Sequence, residues 1–168
     1  MRSVARVRET VDPSGDVGSA NALAYPTSSS PAVTAIMRAN RKVDTSPELR
    51  IRSALHRRGL RFRKHLRIDV GAVRVTPDVV FPGKGLAVFV DGCFWHGCPE
   101  HGTRPTTNRE YWSAKLTRNR VRDARVDDAL ISAGWQVLRL WEHVQVEDAV
   151  KTVTSALRSR TEIGASRG

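Results

Sequence analysis

The chain has 168 residues, 40% of them hydrophobic and 27% charged, which is the composition of a single globular domain. Its longest apolar run, 86–90, has five residues, and because a membrane span needs about 20, the sequence excludes a transmembrane protein. No apolar run follows the N-terminal arginines, which argues against a secretory signal. Two cysteines are too few for a disulfide scaffold, and the formal net charge of +11 favours a nucleic-acid partner over an acidic membrane or an inert basic surface.

The N-terminal 33 residues are predicted to form a disordered leader. Ten of the nineteen residues in 13–31 are Gly, Pro or Ser, and such a composition cannot offset the entropy lost on ordering. We expect the folded domain at 34–158 and a flexible tail at 159–168. Between Arg38 and Arg74 there are twelve Lys or Arg against three acidic residues, so we expect this stretch to contact phosphates.

The domain begins with a predicted helix. Ser46 supplies a capping hydroxyl, Pro47 suits the first helical position, and Gly59 marks the end. Short apolar or alternating runs predict three strands, over 60–66, 76–81 and 85–90. A helix, a strand and a final helix are predicted after them, over 108–133, 135–141 and 147–158. This order predicts an α/β fold in which a mixed β-sheet is flanked by helices.

The segment after the third predicted strand holds both cysteines in the spacing C-x4-C-x2-H, formed by Cys93, Cys98 and His101. Thiolate and imidazole ligands at such spacing suit tetrahedral Zn²⁺, and His143, just beyond a later strand, is the best candidate for the fourth ligand. Four protein ligands would make this zinc structural rather than catalytic. The alternative is a pair of unlinked buried thiols near surface histidines.

Within the same segment, Phe94 and Trp95 are adjacent aromatic residues. Because neighbouring side chains point apart in an extended loop, both cannot face one core, and in a basic protein they could stack on bases or wedge between them. The alternative is that one of them packs in the core. His96 follows directly and could serve as a general base, since the pKa of histidine lies near neutral pH; otherwise it is an exposed loop residue.

Two acidic residues are predicted to lie beside the core. Asp78 stands at the start of a buried strand, where an unpaired carboxylate is costly, and Glu48 lies on the apolar face of its helix, in register with Ile51 and Leu55. Together they predict a Mg²⁺ site at which carboxylates and waters hold a hard cation against a phosphate. The alternative for Glu48 alone is that it is an ordinary acidic residue of the first helical turn, where the helix dipole favours a negative charge.

Taken together, these segments resemble the very-short-patch repair endonucleases, the Vsr family. The resemblance runs in family order from about residue 35 to 143. Its most specific part is the run Asp91-Gly-Cys-Phe-Trp-His-Gly-Cys-Pro99. The other segments are Met37-Arg38, Pro47-Glu48-Leu49, Pro77-Asp78, Asn108 to Trp112, Lys115 to Asn119, Arg122-Asp123, and Ala133-Gly134-Trp135 running on to Trp141-Glu142.

The resemblance implies a restriction-endonuclease-like fold and nicking of one DNA strand beside a T:G mismatch left by deamination of 5-methylcytosine. Asp78, with the backbone carbonyl of Val90, would bind catalytic Mg²⁺, and Glu48 would hold metal-bound water. His96 would activate water, and Asp123 would orient the ring of His96. The structural zinc ligands would be Cys93, Cys98, His101 and His143. The DNA-binding residues would be Met37, Phe94, Trp95, Trp112, Lys115, Arg118, Asn119 and Arg122.

The sequence departs from the best-known family pattern in three places. Val90 replaces a threonine, Asp91 stands where a second histidine often lies, and the zinc set mixes two Cys with two His rather than matching a fixed set. We expect a monomer that acts on double-stranded DNA in the cytoplasm, associated with the nucleoid and without a membrane partner, and mismatch-repair proteins are candidate partners. The alternatives are a catalytically inactive, zinc-containing DNA-binding module and a related restriction-type nuclease that cuts unmismatched DNA.

Overall fold

The computed structural model describes residues 43–102 and 106–165 of the chain. The predicted leader, 1–33, and Met37 lie outside the described residues. The helices are α1 Ser46–Arg57, α2 Cys93–His96, α3 Arg109–Ser132 and α4 Val146–Ala165. The strands are β1 Ile68–Val70, β2 Val73–Val75, β3 Val79–Phe81, β4 Leu86–Asp91 and β5 Gln136–Trp141.

A three-stranded mixed sheet in the order β3-β4-β5 forms the centre of the fold. Strands β3 and β4 are antiparallel and are joined by a 3₁₀ turn at Pro82–Lys84, whereas β4 and β5 run parallel because the long helix α3 connects them. The predicted hairpin and the predicted mixed α/β class are therefore confirmed. Assignment to the restriction-endonuclease-like fold remains a prediction.

Both faces of this sheet are covered, since successive side chains along a strand alternate between faces. On one face Val79, Val88 and Leu140 pack against α1 and α4. On the other face Val80 and Phe89 pack with residues of α3 and of the β1–β2 hairpin. This double cover explains why β4 is a nearly continuous apolar run rather than an alternating one.

The strand predicted over 60–66 is wrong. There, only Arg63 pairs with the sheet, through two 2.8 Å backbone hydrogen bonds to Val80, and His65 turns the chain with a φ of 50°. The apolar residues of the segment pack into two different clusters instead of lining one strand. The β1–β2 hairpin, which was not predicted from the sequence, has a two-residue turn that begins at Gly71 with a φ of 55°.

The boundaries of α1, α3 and α4 agree with the predictions to within a few residues, except at the end of α4, whereas α2 was not predicted. The N-cap of α1 is Thr45 rather than Ser46, which is already helical, and Gly59 ends the helix with a φ of 71°. Helix α4 continues to Ala165, beyond the predicted end at Arg158. None of the helices in the described ranges is long and apolar enough to cross a membrane.

Candidate active site and metal centre

The candidate active site lies where β4 ends and α2 begins. Asp78, just before β3, accepts a 2.7 Å hydrogen bond at Oδ2 from the main-chain N–H of Val90, so the two residues predicted to bind Mg²⁺ are adjacent in space. Burial, together with the negative charges of Glu48 and Asp91, raises the pKa of Asp78 from 3.8 to about 6. A carboxylate held under these conditions is a favourable ligand for a cation, which would offset the excess negative charge.

Glu48 is buried in the first turn of α1, and its oxygens accept hydrogen bonds at the start of that helix. Oε1 accepts the hydroxyl of Thr45 at 2.8 Å, and Oε2 accepts the main-chain N–H of Asp44 at 3.0 Å. The guanidinium of Arg52 lies 3.5 Å from Oε2. Glu48 therefore supports the helix start, and its charge also acts on Asp78.

Arg52 was included in the basic stretch predicted to contact phosphates, and the structure contradicts this for its side chain. Arg52 is buried and pairs with Asp44 as well as Glu48. His65 joins this group, with Nε2 3.0 Å from Asp44 Oδ1. Hydrogen bonding from His65 and Arg52 lowers the pKa of Asp44. By contrast, the exposed basic side chains available for phosphates between residues 43 and 74 are Arg50, Arg57, Arg58, Arg61, Arg63, Lys64, Arg67 and Arg74.

His96, the last residue of α2, is brought against Asp123 of α3, and Nδ1 of the ring lies 2.6 Å from Asp123 Oδ2. Burial opposes ionisation of Asp123, but the hydrogen bond with His96 and the charge of Arg139 outweigh it, so the pKa of Asp123 is lowered. An ionised carboxylate on Nδ1 fixes a proton there and leaves Nε2 as the ring nitrogen that can accept another. The arrangement can therefore support base catalysis at Nε2.

Behind His96 lies a buried ionic network that was not predicted from the sequence. Arg139 of β5 donates to Asp91 from Nη1 at 2.9 Å and to Asp127 from Nη2 at 2.8 Å. Its Nη2 also lies 3.5 Å from the main-chain oxygen of Asp123. The sequence did contain one signal of this network, a single arginine inside the apolar strand Gln136–Trp141. A buried charge needs a partner, so this arginine indicates a buried ion pair.

The aromatic residues predicted to contact DNA gather beside this site. Phe94 and Trp95 lie in a helical turn rather than an extended loop, so their rings meet at 5.0 Å instead of pointing apart. Trp112 of α3 completes the cluster, 5.3 Å from Phe94, and Lys115 Nζ lies 5.4 Å from the Trp95 and Trp112 rings. All three rings are partly exposed, and neither Phe94 nor Trp95 belongs to a core cluster.

The other predicted DNA-binding residues of α3 have different surroundings. Asn119 donates to the main-chain oxygen of Trp95 at 3.0 Å and so ties α3 to the aromatic turn. Arg122 is exposed and lies 3.1 Å from Asp123, whereas Arg118 is exposed on the same helix. Arg118 and Arg122 are thus accessible to a phosphate, while the side-chain amide of Asn119 is already engaged.

A candidate metal centre adjoins the aromatic turn. One ligand atom from each of Cys93, Cys98, His101 and His143 lies within 4.8 Å of the others, so the structure brings all four predicted ligands together. Burial and the neighbouring thiol of Cys98 raise the pKa of Cys93 to about 12. Two thiols placed this closely fit a divalent cation, whose charge would favour their ionised form.

The metal centre and the active site share α2. Cys93 begins this helix, and its main-chain N–H donates to Oε1 of Glu142 at 2.7 Å, while Gly97 ends it with a φ of 66°. Because Cys93 and His96 bracket a single helical turn, the contacts of Cys93 with His143 and Glu142 constrain where His96 lies. Structure at the metal centre therefore also positions the candidate base.

The chain is similar to a known family of DNA endonucleases. The family described as "DNA mismatch endonuclease Vsr" matches residues 30–101. The "Type II nicking enzyme V.NaeI" of Lentzea aerocolonigenes is 52% identical over 122 residues, which are 72% of this chain and 74% of the relative. For V.XorIIP of Xanthomonas oryzae pv. oryzae the identity is 44% over 111 residues, 64% and 76% of the two chains.

A third relative, the "DNA mismatch endonuclease Vsr" of Escherichia coli strain K12, is 34% identical over 127 residues, 75% of this chain and 78% of that one. The relatives are named as endonucleases or nicking enzymes, and this similarity supports a protein of the DNA endonuclease class. The chain belongs to the Vsr family.

Proposed function

We propose that the protein is a Mg²⁺-dependent DNA nickase that cuts one strand beside a T:G mismatch left by deamination of 5-methylcytosine, and so initiates very-short-patch repair. The observation that carries this proposal is the His96–Asp123 contact of 2.6 Å, formed next to a partly exposed aromatic cluster and close to the end of β4, where Val90 contacts Asp78. A base, a carboxylate for metal and a stacking surface are the parts that such a reaction requires.

In this mechanism the aromatic cluster of Phe94, Trp95 and Trp112 opens the duplex. A mismatched step costs less to unstack than a paired one, so deformation of the DNA contributes to selection. Met37 would wedge from the other groove, as the family resemblance implies. Exposed basic side chains, including Arg118 and Arg122, bind phosphates and fix the position of the strand without reading its sequence.

Hydrolysis follows at the end of β4. His96 takes a proton from water at Nε2, while Asp123 holds the ring through Nδ1. Asp78 and the carbonyl of Val90 would hold Mg²⁺, which supplies polarisation of the scissile phosphate. Glu48 would hold metal-bound water, although its oxygens also accept hydrogen bonds at the start of α1. A site with few protein ligands suits Mg²⁺, which keeps several waters.

We further propose that the metal at Cys93, Cys98, His101 and His143 is structural Zn²⁺. Ligand atoms in a tetrahedral zinc site stand roughly 3.3–3.8 Å apart, and the four donors here lie within 4.8 Å of one another. Four protein ligands leave no open position, so this ion would stabilise the turn that carries His96 rather than catalyse. We place the protein in the cytoplasm with its DNA substrate, as a monomer, with mismatch-repair proteins as candidate partners.

Single-turnover nicking of a T:G duplex with Mg²⁺ tests the proposal. His96→Ala should slow nicking by about 10² to 10⁴, the usual contribution of a general base, while DNA affinity by gel shift stays unchanged. His56→Ala, which removes an exposed histidine of α1, is the matched control and should nick like the wild type. A wild-type rate for His96→Ala would contradict the mechanism.

The choice of DNA separates the alternatives. We expect nicking of one strand of the T:G duplex and little of a T:A duplex of the same sequence. Cleavage of both strands of the T:A duplex would indicate a restriction-type nuclease. Binding of either duplex without any nicking in Mg²⁺ would indicate an inactive DNA-binding module.

A further inference from the structure

Two carboxylates approach the same nitrogen of His96, and only one of them makes the hydrogen bond. Nδ1 lies 2.6 Å from Asp123 Oδ2 but 3.7 Å from Asp91 Oδ1. A single Nδ1–H can be donated well to one acceptor at a time. The orientation of the ring therefore depends on what keeps Asp91 from competing with Asp123.

Arg139 supplies that restraint. Its Nη1 lies 2.9 and 3.2 Å from the two oxygens of Asp91, so a single nitrogen engages the whole carboxylate. Asp91 and Arg139 are 3% and 8% exposed, which means that water cannot take over either partner. Among the described residues, Asp91 forms ion pairs only with Arg139 and with the ring of His96.

The guanidinium is in turn held in one place. Asp127 accepts from Nε and Nη2 at 2.8 to 3.1 Å, and the Cζ atom lies 4.6 Å from the centroid of the Phe89 ring. A planar, forked cation bound on two edges and stacked on an aromatic ring has little freedom to move. The restraint on Asp91 is therefore rigid.

We infer that Arg139 is a positioning residue for His96: by binding Asp91 it leaves Asp123 as the only carboxylate acceptor for Nδ1–H. The inference rests on the proposed role of His96 as the base. Without Arg139, the Asp91 carboxylate would have the His96 donor 3.7 Å away and would draw the ring from its place.

The test compares single-turnover nicking of the T:G duplex at saturating enzyme for five variants of the full chain. Arg139→Met should nick about 10² slower or more, with unchanged DNA affinity, because a misoriented base loses most of its contribution. Asp123→Asn should lose about as much, whereas Asp91→Asn should lose less than about tenfold, since Asp123 still holds the ring. The double variant Asp91→Asn/Arg139→Met should recover about tenfold or more over Arg139→Met, because the competing carboxylate is gone. Lys151→Met, which removes one positive charge from an exposed pair with Asp148, is the control and should not differ from the wild type.

A measurement without substrate distinguishes failure of this inference from failure of the proposed function. NMR of the free protein should detect the hydrogen-bonded Nδ1–H proton of His96 in the wild type and in Asp91→Asn, and should lose it in Arg139→Met. If Arg139→Met does not fold, the comparison of Asp91→Asn with Asp123→Asn decides the matter, because it needs no variant of Arg139. The inference is overturned if Asp91→Asn costs as much rate as Asp123→Asn, if the double variant shows no recovery, or if folded Arg139→Met keeps the wild-type rate and the wild-type Nδ1–H signal. A His96→Ala variant that nicks normally would instead remove the proposed mechanism.

Discussion

Replacing Asp78 with asparagine should stabilise the protein in the absence of Mg²⁺, although it removes a ligand needed for nicking. The pKa of Asp78 is raised from 3.8 to about 6 by burial and by the charges of Glu48 and Asp91. Each tenfold change in a protonation equilibrium corresponds to about 1.4 kcal/mol, so the ionised carboxylate costs the folded state at most about 3 kcal/mol. Asparagine removes this charge, and its Oδ1 can still accept the main-chain N–H of Val90, which in the wild type lies 2.7 Å from Asp78 Oδ2.

The predicted gain depends on pH in a definite direction. The unfolded carboxyl group releases its proton near pH 3.8, and the folded one near pH 6. Between these values the unfolded state binds fewer protons, so the stability of the wild type falls as the pH rises. The advantage of Asp78→Asn should therefore be absent near pH 4 and complete above about pH 7.

Urea unfolding of both proteins without Mg²⁺, at several pH values from 4 to 8, measures this difference. Chelators are omitted, because they would also remove zinc, and any effect of pH on the metal centre cancels between the two proteins. Asp69→Asn, which neutralises an exposed carboxylate of β1, is the control and should show no such pH-dependent gain. The reasoning is refuted if the stability difference between Asp78→Asn and the wild type stays constant from pH 4 to 8, or if the variant is the less stable protein at pH 8.

Three further predictions concern the metal centre, recognition and the leader. Cys98→Ala should lower both the zinc content, by metal analysis, and the melting temperature, because binding energy of structural zinc is folding energy; full stability in a metal-free preparation would contradict this. Trp95→Ala should reduce the ratio of T:G to T:A nicking rates rather than the chemistry, and an unchanged ratio would argue against a role in recognition. A chain that starts near Pro31 should fold and nick like the full chain, and a large loss of activity would show that the leader helps to hold DNA.

Local features of this protein were determined by the sequence itself. Gly59 and Gly134 end helices with φ of 71° and 84°, a conformation that glycine adopts without a steric penalty, and both ends were predicted. The β3–β4 hairpin was also predicted from local sequence. So was the grouping of the two cysteines with His101, because their spacing places three ligands in one short segment. Interactions over a few residues depend on backbone preferences and spacing, which are readable without a fold.

At residues 60–66, distant packing overrides the local pattern of the sequence. Residues 60–66 alternate like a strand, but Leu60 and Phe62 pack on one face of the sheet and Leu66 on the other. The β1–β2 hairpin had a readable signal, since Gly71 and Ala72 separate two short runs rich in β-branched residues, and that signal was overlooked.

The site itself was decided by the tertiary structure. Asp123 and His96 are 27 residues apart, and Cys93 and His143 are 50 residues apart, so their contacts exist only because α3 and β5 return to the end of β4. From the sequence alone, the pairing of His96 with Asp123 followed from the family resemblance, whereas His143 was predicted as the fourth metal ligand from its place just beyond a strand. The network of Arg139 with Asp91 and Asp127 had no such guide, because a buried charge signals that a partner is needed but not which residue supplies it.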